Sequence, residues 1–162
     1  MKHLILMRHA KSDWSHDLPD HDRPLNKRGR RAAPAIGAWL RAGGHLPDEI
    51  LCSTSARTRE TLTRLNLPAP ARFEADLYHA APDTMLDILR TARGDSVMVI
   101  GHNPGIAAFA QMMLATPPEH PRFAAYPTCA TLVAEFDIGD WSDLRPHSGR
   151  ATSFVVPRDL TD

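Results

Sequence analysis

Two histidines stand at the ends of apolar runs: His9 closes LILMRH and His102 closes VMVIGH. Arg8 immediately precedes the first, and Asn103, Pro104 and Gly105 follow the second. A third run, EILC at 49–52, leads into CSTSARTRET, which puts Arg57 in the first turn of a following helix. In an open parallel sheet ligands bind beyond the carboxyl ends of the strands. If the three runs are strands of one such sheet, two imidazoles and two guanidiniums converge on a single edge. A guanidinium offers paired donors to an oxyanion. Asn103-Pro104 reads as a helix start, whose free N–H groups and partial positive charge also favour an anion. One arginine would suffice for a carboxylate. The surplus suits a phosphoryl group, whose charge has to be stabilised in the transition state. His9, neutral and held by a backbone partner, can attack phosphorus and carry the group, and nearby cations keep it from protonating.

Those residues need a scaffold. Residues 3–8 read as a buried strand, followed by a long polar loop to about Asp22. Helical spacing then takes over in LNKRGRRAAPAIGAWLRAGG, with Ala32, Ile36, Trp39 and Leu40 on one face and Gly43-Gly44 as the stop. Pro34 inside it predicts a kink or two short helices. EILC is a strand, and a polar helix runs from about Ala56 to Leu65. Residues 68–73 are loop or weak strand, and TMLDILRTA at 84–92 is a helix. VMVIG reads as a strand buried on both faces, with a helix from about 104 to 114 after it. ATLVAEFD and ATSFVVP add two strands that bring in antiparallel pairing. The alternation predicts a three-layer α/β/α sandwich with a mostly parallel central sheet flanked by helices. It also predicts one domain over 1–162.

Composition narrows the function classes. The chain has 162 residues, 43% of them apolar, with Lys plus Arg equal to Asp plus Glu. A net charge of zero gives no global field for nucleic acid or anionic lipid. Cys52 and Cys129 are far apart and match neither a disulfide framework nor a thiolate zinc site. No run is long enough to span a bilayer, the N-terminus does not resemble a secretory signal, and a cytoplasmic location is expected.

LILMRHA resembles the Arg-His-Gly signature of the histidine phosphatase (phosphoglycerate mutase-like) superfamily. Together with DRPLNKRGRRAA, CSTSARTRET, LYHA at 77–80 and VIGHNPGI at 99–106, it is similar to the compact SixA-type phosphohistidine phosphatase branch, from about residue 4 to 157. The resemblance implies His9 as nucleophile, Arg8 and Arg57 as phosphate-binding arginines, His102 as the second histidine, and no metal or other cofactor. Lys11, Ser12, Asn103 and Arg59 are weaker candidates for substrate contact.

The chain departs from the pattern in three places. Ala10 replaces the signature glycine, and Thr54 stands where many relatives have proline. The acid that protonates an alcohol leaving group in many relatives has no counterpart near LYHA, where Tyr78 and His79 fall instead; Glu74, Asp76 and Asp83 are only in the vicinity. A phosphoramidate leaves with little help from an acid, so the expected substrate is phosphohistidine on a phosphotransfer protein of a signalling relay. Alternatives are a small phosphomonoester, such as a sugar phosphate or nucleotide, and a phospho-binding module without turnover.

Other features read as structural. DWSHDLPDHD at 13–22 matches no common metal spacing and is taken as a solvated loop flanking the pocket, with a hand in partner selection. RGRR at 28–31 is taken as a solvated helix face, histidines 3, 45, 79, 120 and 147 as incidental, and Trp39 and the MML at 112–114 as core.

Overall fold

The computed structural model describes residues 1–161. Its centre is one seven-stranded sheet in the order β3-β2-β4-β1-β6-β7-β5. These strands are β1 (Lys2–Arg8), β2 (Glu49–Ser53), β3 (Ala71–Glu74), β4 (Ser96–Gly101), β5 (Leu114–Thr116), β6 (Thr131–Phe136) and β7 (Gly149–Val155). The first four in the order are mutually parallel, whereas β6 runs antiparallel to both β1 and β7. The α/β sandwich with its antiparallel C-terminal pair is therefore as expected. Three-residue β5, parallel to β7 at the far edge, carried no signal in the sequence.

Strand periodicity explains the two cores. Successive side chains of a strand point to opposite faces. Leu4 and Leu6 of β1 join Val97 and Val99 of β4 beneath α3 (Pro82–Leu89) and α4 (Gly105–Met113). Ile5 and Met7 join Met98 and Ile100 beneath α1 (Lys27–Ala42) and α2 (Ala56–Leu65). A short α5 (Pro157–Thr161) touches α1. Each fully buried Leu or Ile contributes about 2 kcal/mol to this arrangement. Cys52 and Cys129 are free and buried in the second core, and burial pushes both thiols up to about 12, so neither is a reactive thiolate. Among the described residues no helix is long and apolar enough to cross a membrane.

Pro34 neither breaks nor divides α1, which is one helix. The residue lies on the exposed face, where water can solvate the carbonyl that its missing N–H leaves. Ile36, Gly37 and Leu40 are buried on the other face and hold the helix to the sheet. Asn26 caps its start by accepting the Gly29 N–H at 2.9 Å.

Candidate active site

Register brings the two histidines together. β1 and β4 are parallel neighbours with Arg8 opposite Gly101, so the next residue on each, His9 and His102, leaves the sheet at the same edge. Their rings lie 5.3 Å apart. The neighbouring β2 ends level with them, Cys52 opposite Ile100. Ser55 then caps α2 by accepting the Thr58 N–H, and Arg57 occupies the first turn, where its side chain returns to His9. Four backbone contacts pin the end of β1. His9 N–H donates to Gly101, Cys129 N–H is shared between the Arg8 and His9 carbonyls, and Ala10 N–H donates to Thr61 Oγ1 at 3.0 Å.

His9 has a defined tautomer. Its Nδ1 lies 2.7 Å from the Ala10 carbonyl, which can only accept, so the ring proton sits there and Nε2 keeps its lone pair. Arg57 Nε approaches that nitrogen at 3.4 Å. Burial, opposed by the Ala10 hydrogen bond and reinforced by the charges of Arg57, Arg8 and Arg23, brings His9 down from 6.5 to about 3. His102 is brought down to about 2 by burial first, then by His9, Arg57 and His79. Both imidazoles are neutral at physiological pH. Ser53 Oγ is 2.8 Å from His102 Nε2; with the hydroxyl donating there, the ring proton rests on Nδ1.

Among the described residues two buried side-chain polar atoms have no partner, Arg8 Nε and His102 Nδ1. Leaving such a group unsatisfied costs about 1–3 kcal/mol. Arg8 Nη1 donates to the Tyr126 carbonyl at 3.2 Å.

A second set of residues closes around these, and sequence reasoning missed most of it. Asp20 lies at the centre. Its Oδ2 accepts from Arg57 Nη2 at 2.9 Å and from Tyr78 Oη, and lies 3.2 Å from His79 Nε2. Its Oδ1 accepts from Arg23 Nε and Nη2 at 3.1 and 2.9 Å. Its backbone carbonyl takes Arg57 Nη1 at 2.7 Å. Burial alone would raise the Asp20 carboxyl, but hydrogen bonds from Tyr78, Arg23 and Arg57 hold it well below the usual carboxylate range. It is therefore ionised at neutral pH and cannot serve as a proton donor there. Arg23 is buried and presses on His9 electrostatically. Asp20 lies in the 13–22 loop read as solvated, and Arg23 in DRPLNKRGRRAA, a segment that carried part of the resemblance without a role for this arginine.

The LYHA segment also enters. The Tyr78 and His79 rings lie 5.3 and 5.5 Å from that of His102, so His79 is not incidental to the pocket. Close packing enforces this: a Cβ on Gly105, the first residue of α4, would stand 1.9 Å from the Ala80 carbonyl oxygen. Thr54 has found work in place of proline, since its hydroxyl lies 2.9 Å from His21 Nε2.

The weaker candidates divide. Ser12 is buried and accepts from Arg23 Nη1 at 2.6 Å. Lys11 is exposed, two residues beyond His9. Asn103 is spent on the fold: its Nδ2 donates to the carbonyls of Ala125 and Tyr126, and its Oδ1 accepts the Ala107 N–H. The helix it introduces begins at Gly105 rather than Pro104. Arg59 turns outward, donating to the Thr54 carbonyl at 2.9 Å and lying 4.0 Å over the Phe73 ring.

The family model described as Histidine phosphatase superfamily (branch 1) matches residues 4–79. A SixA structure from Nakamurella multipartitia is 32% identical, covers 96% of each chain and superposes with a TM-score of 0.84. The chain belongs to the SixA-type branch of the histidine phosphatase superfamily. A second SixA structure, from Agrobacterium tumefaciens, is 27% identical, with a TM-score of 0.78 and coverage of 96% of this chain and 99% of that one. An uncharacterised protein of Mycobacterium tuberculosis is 38% identical over 160 residues, spanning 94% of this chain and all of its own length. Within this histidine phosphatase fold, the residues that sequence reasoning singled out first, Arg8, His9, Arg57 and His102, stand together at one edge of the sheet.

Proposed function

We propose that this phosphatase hydrolyses phosphohistidine on a protein through a covalent intermediate on His9, without a metal. The observation that carries the reading is the unprotonated His9 Nε2, fixed by the Ala10 carbonyl and surrounded by Arg8, Arg57 and Arg23. The lone pair on Nε2 attacks phosphorus. As that bond forms, the bond between phosphorus and the substrate imidazole breaks; the substrate ring, already protonated on its other nitrogen, takes the electron pair and leaves as a neutral imidazole. Arg57 and the unpartnered donors Arg8 Nε and His102 Nδ1 take the phosphoryl oxygens. Water then attacks phosphorus, the bond to Nε2 breaks with its electron pair returning to that nitrogen, and both hydrogens of the water leave on the phosphate as H2PO4−, so that His9 is again neutral with its proton on Nδ1.

The leaving group decides between phosphohistidine and a phosphate ester. The carboxylate that holds Arg57, Asp20, is locked ionised by Arg57, Arg23 and Tyr78, so it has no proton to give an alkoxide leaving group. An imidazole leaving group has little need of one. The name of the SixA neighbours, phosphohistidine phosphatase, agrees with this preference.

The test is hydrolysis of free and protein-bound phosphohistidine against a panel of sugar phosphates and nucleotides, with and without chelator. Wild type should prefer phosphohistidine, chelator should change nothing, and His9→Ala should be inactive. A strong preference for one ester would replace this reading.

A further inference from the structure

Beside the pocket the fold gathers four cations into one groove. Lys11 from the loop after β1, Arg28 and Arg31 from α1 and Arg158 from α5 line a space of about 350 Å³, with Thr128 and Pro157 between them. Among the described residues no Asp or Glu lines this groove. None of the four makes an ion pair among the described residues, while other arginines of the chain do: Arg30 and Arg64 share Glu60, Arg72 takes Glu74 and Arg150 takes Glu135. In a chain whose charges balance, this is a local excess of one sign. RGRR alone reads as a solvated face; the fold adds Lys11 and Arg158 to it from two other segments.

The groove adjoins the reaction centre. Lys11 lies two residues beyond His9, and Thr128 precedes Cys129, whose N–H donates to the His9 carbonyl at 2.9 Å. The phosphoryl group itself has its own donors in Arg8 and Arg57, so the groove is free for whatever carries that group. A one-signed cleft beside a reaction centre raises the local concentration of ligands of opposite sign and speeds their encounter. Four cations in a neutral chain are a small footprint for a nucleic-acid backbone. Resting on the phosphohistidine reading above, we infer that this groove docks an acidic surface of the phosphorylated protein and so selects a protein over a small phosphorylated molecule.

The test compares wild type with the triple variant Arg28→Glu/Arg31→Glu/Arg158→Glu on two substrates sharing the same bond. One is an acidic phosphotransfer domain phosphorylated on histidine with phosphoramidate; the other is free phosphohistidine. For the domain, kcat/KM should fall about tenfold or more in the variant and decline with salt in wild type. Free phosphohistidine should be turned over equally by both. All three arginines lie outside the catalytic pocket, and two are on the exposed face of α1, so the second substrate also reports folding. An unchanged rate on the domain, or an equal loss on both substrates, overturns the docking surface and leaves the phosphohistidine reading standing. Wild-type turnover of the free amino acid but not the domain does the same. No wild-type turnover of either overturns that reading, and the surface with it.

Discussion

At the scale of single residues, reactivity is set by which nitrogen of His9 bears the proton. Ala10 contributes a carbonyl, and a carbonyl can only accept, so Nε2 is left as the nucleophile. Around it, the guanidinium of Arg57 has the most exacting position, gripped by both the Asp20 carboxylate and its backbone oxygen. Arg57→Ala should lower kcat by about a hundredfold or more, the usual loss when one preorganised donor to developing charge is removed. Steady-state kinetics checks this; an unchanged kcat would remove Arg57 from the transition state. Ser53→Ala should cost about tenfold in kcat and about 1–3 kcal/mol in stability, read by steady-state kinetics and thermal denaturation, because buried His102 loses its hydroxyl partner. Arg8, His9 and His102 were legible in the sequence because an arginine or histidine closing an apolar run is a conspicuous pattern, and Arg57 because it opens the helix that follows the third such run. Asp20, Arg23 and Ser53 were not. The roles of Asp20 and Arg23 depend on a loop folding back over the sheet edge, and that of Ser53 on β2 lying beside β4, neither of which local spacing announces.

At the scale of elements, the site depends on two helices approaching backbone very closely. Gly105 of α4 sits against the Ala80 carbonyl, and Gly29 of α1 against that of Lys11, where a Cβ would stand 2.2 Å away. Both contacts are with backbone, which cannot swing aside. Gly105→Ala should therefore destabilise the protein by about 2 kcal/mol and also slow turnover, since it displaces Tyr78 and His79 from His102. Thermal denaturation and the phosphohistidine assay together check it; a stable, fully active variant would show that the LYHA segment is not held by this contact. Most elements were readable from apolar periodicity and caps. The continuity of α1 through Pro34 was not, because burial of its opposite face outweighs a locally missing hydrogen bond. Nor was the 13–22 loop, whose dense charge looked like solvation but includes the carboxylate that joins Arg23 to Arg57.

At the scale of the molecule, the pocket makes stability depend on pH. His9 and His102 have folded values of about 3 and 2 against an ordinary 6.5, so below 6.5 the unfolded chain binds protons that the folded one refuses. Their contribution is fully present above 6.5 and drains away as pH falls toward 3. Asp20, also held low, adds a loss beginning near its ordinary 3.8. Denaturant unfolding at pH 7, 5 and 4 should show stability falling throughout, and His9→Gln should flatten the decline between pH 7 and 4. An equal slope in that variant would mean the burial of His9 is not what acid works against. The overall sandwich could be inferred from strand and helix alternation alone, whereas the basic groove could not, since Lys11, the Arg28–Arg31 pair and Arg158 come from three separate segments that meet only in the fold.

The central chemistry is most directly tested by quenching the enzyme during turnover of a phosphohistidine protein and locating the transferred phosphate by phosphorus NMR and peptide mass spectrometry. An acid-labile phosphoryl group on Nε2 of His9, absent in His9→Ala, is the expected result. Phosphate on another residue, or undiminished turnover in His9→Ala, would contradict it.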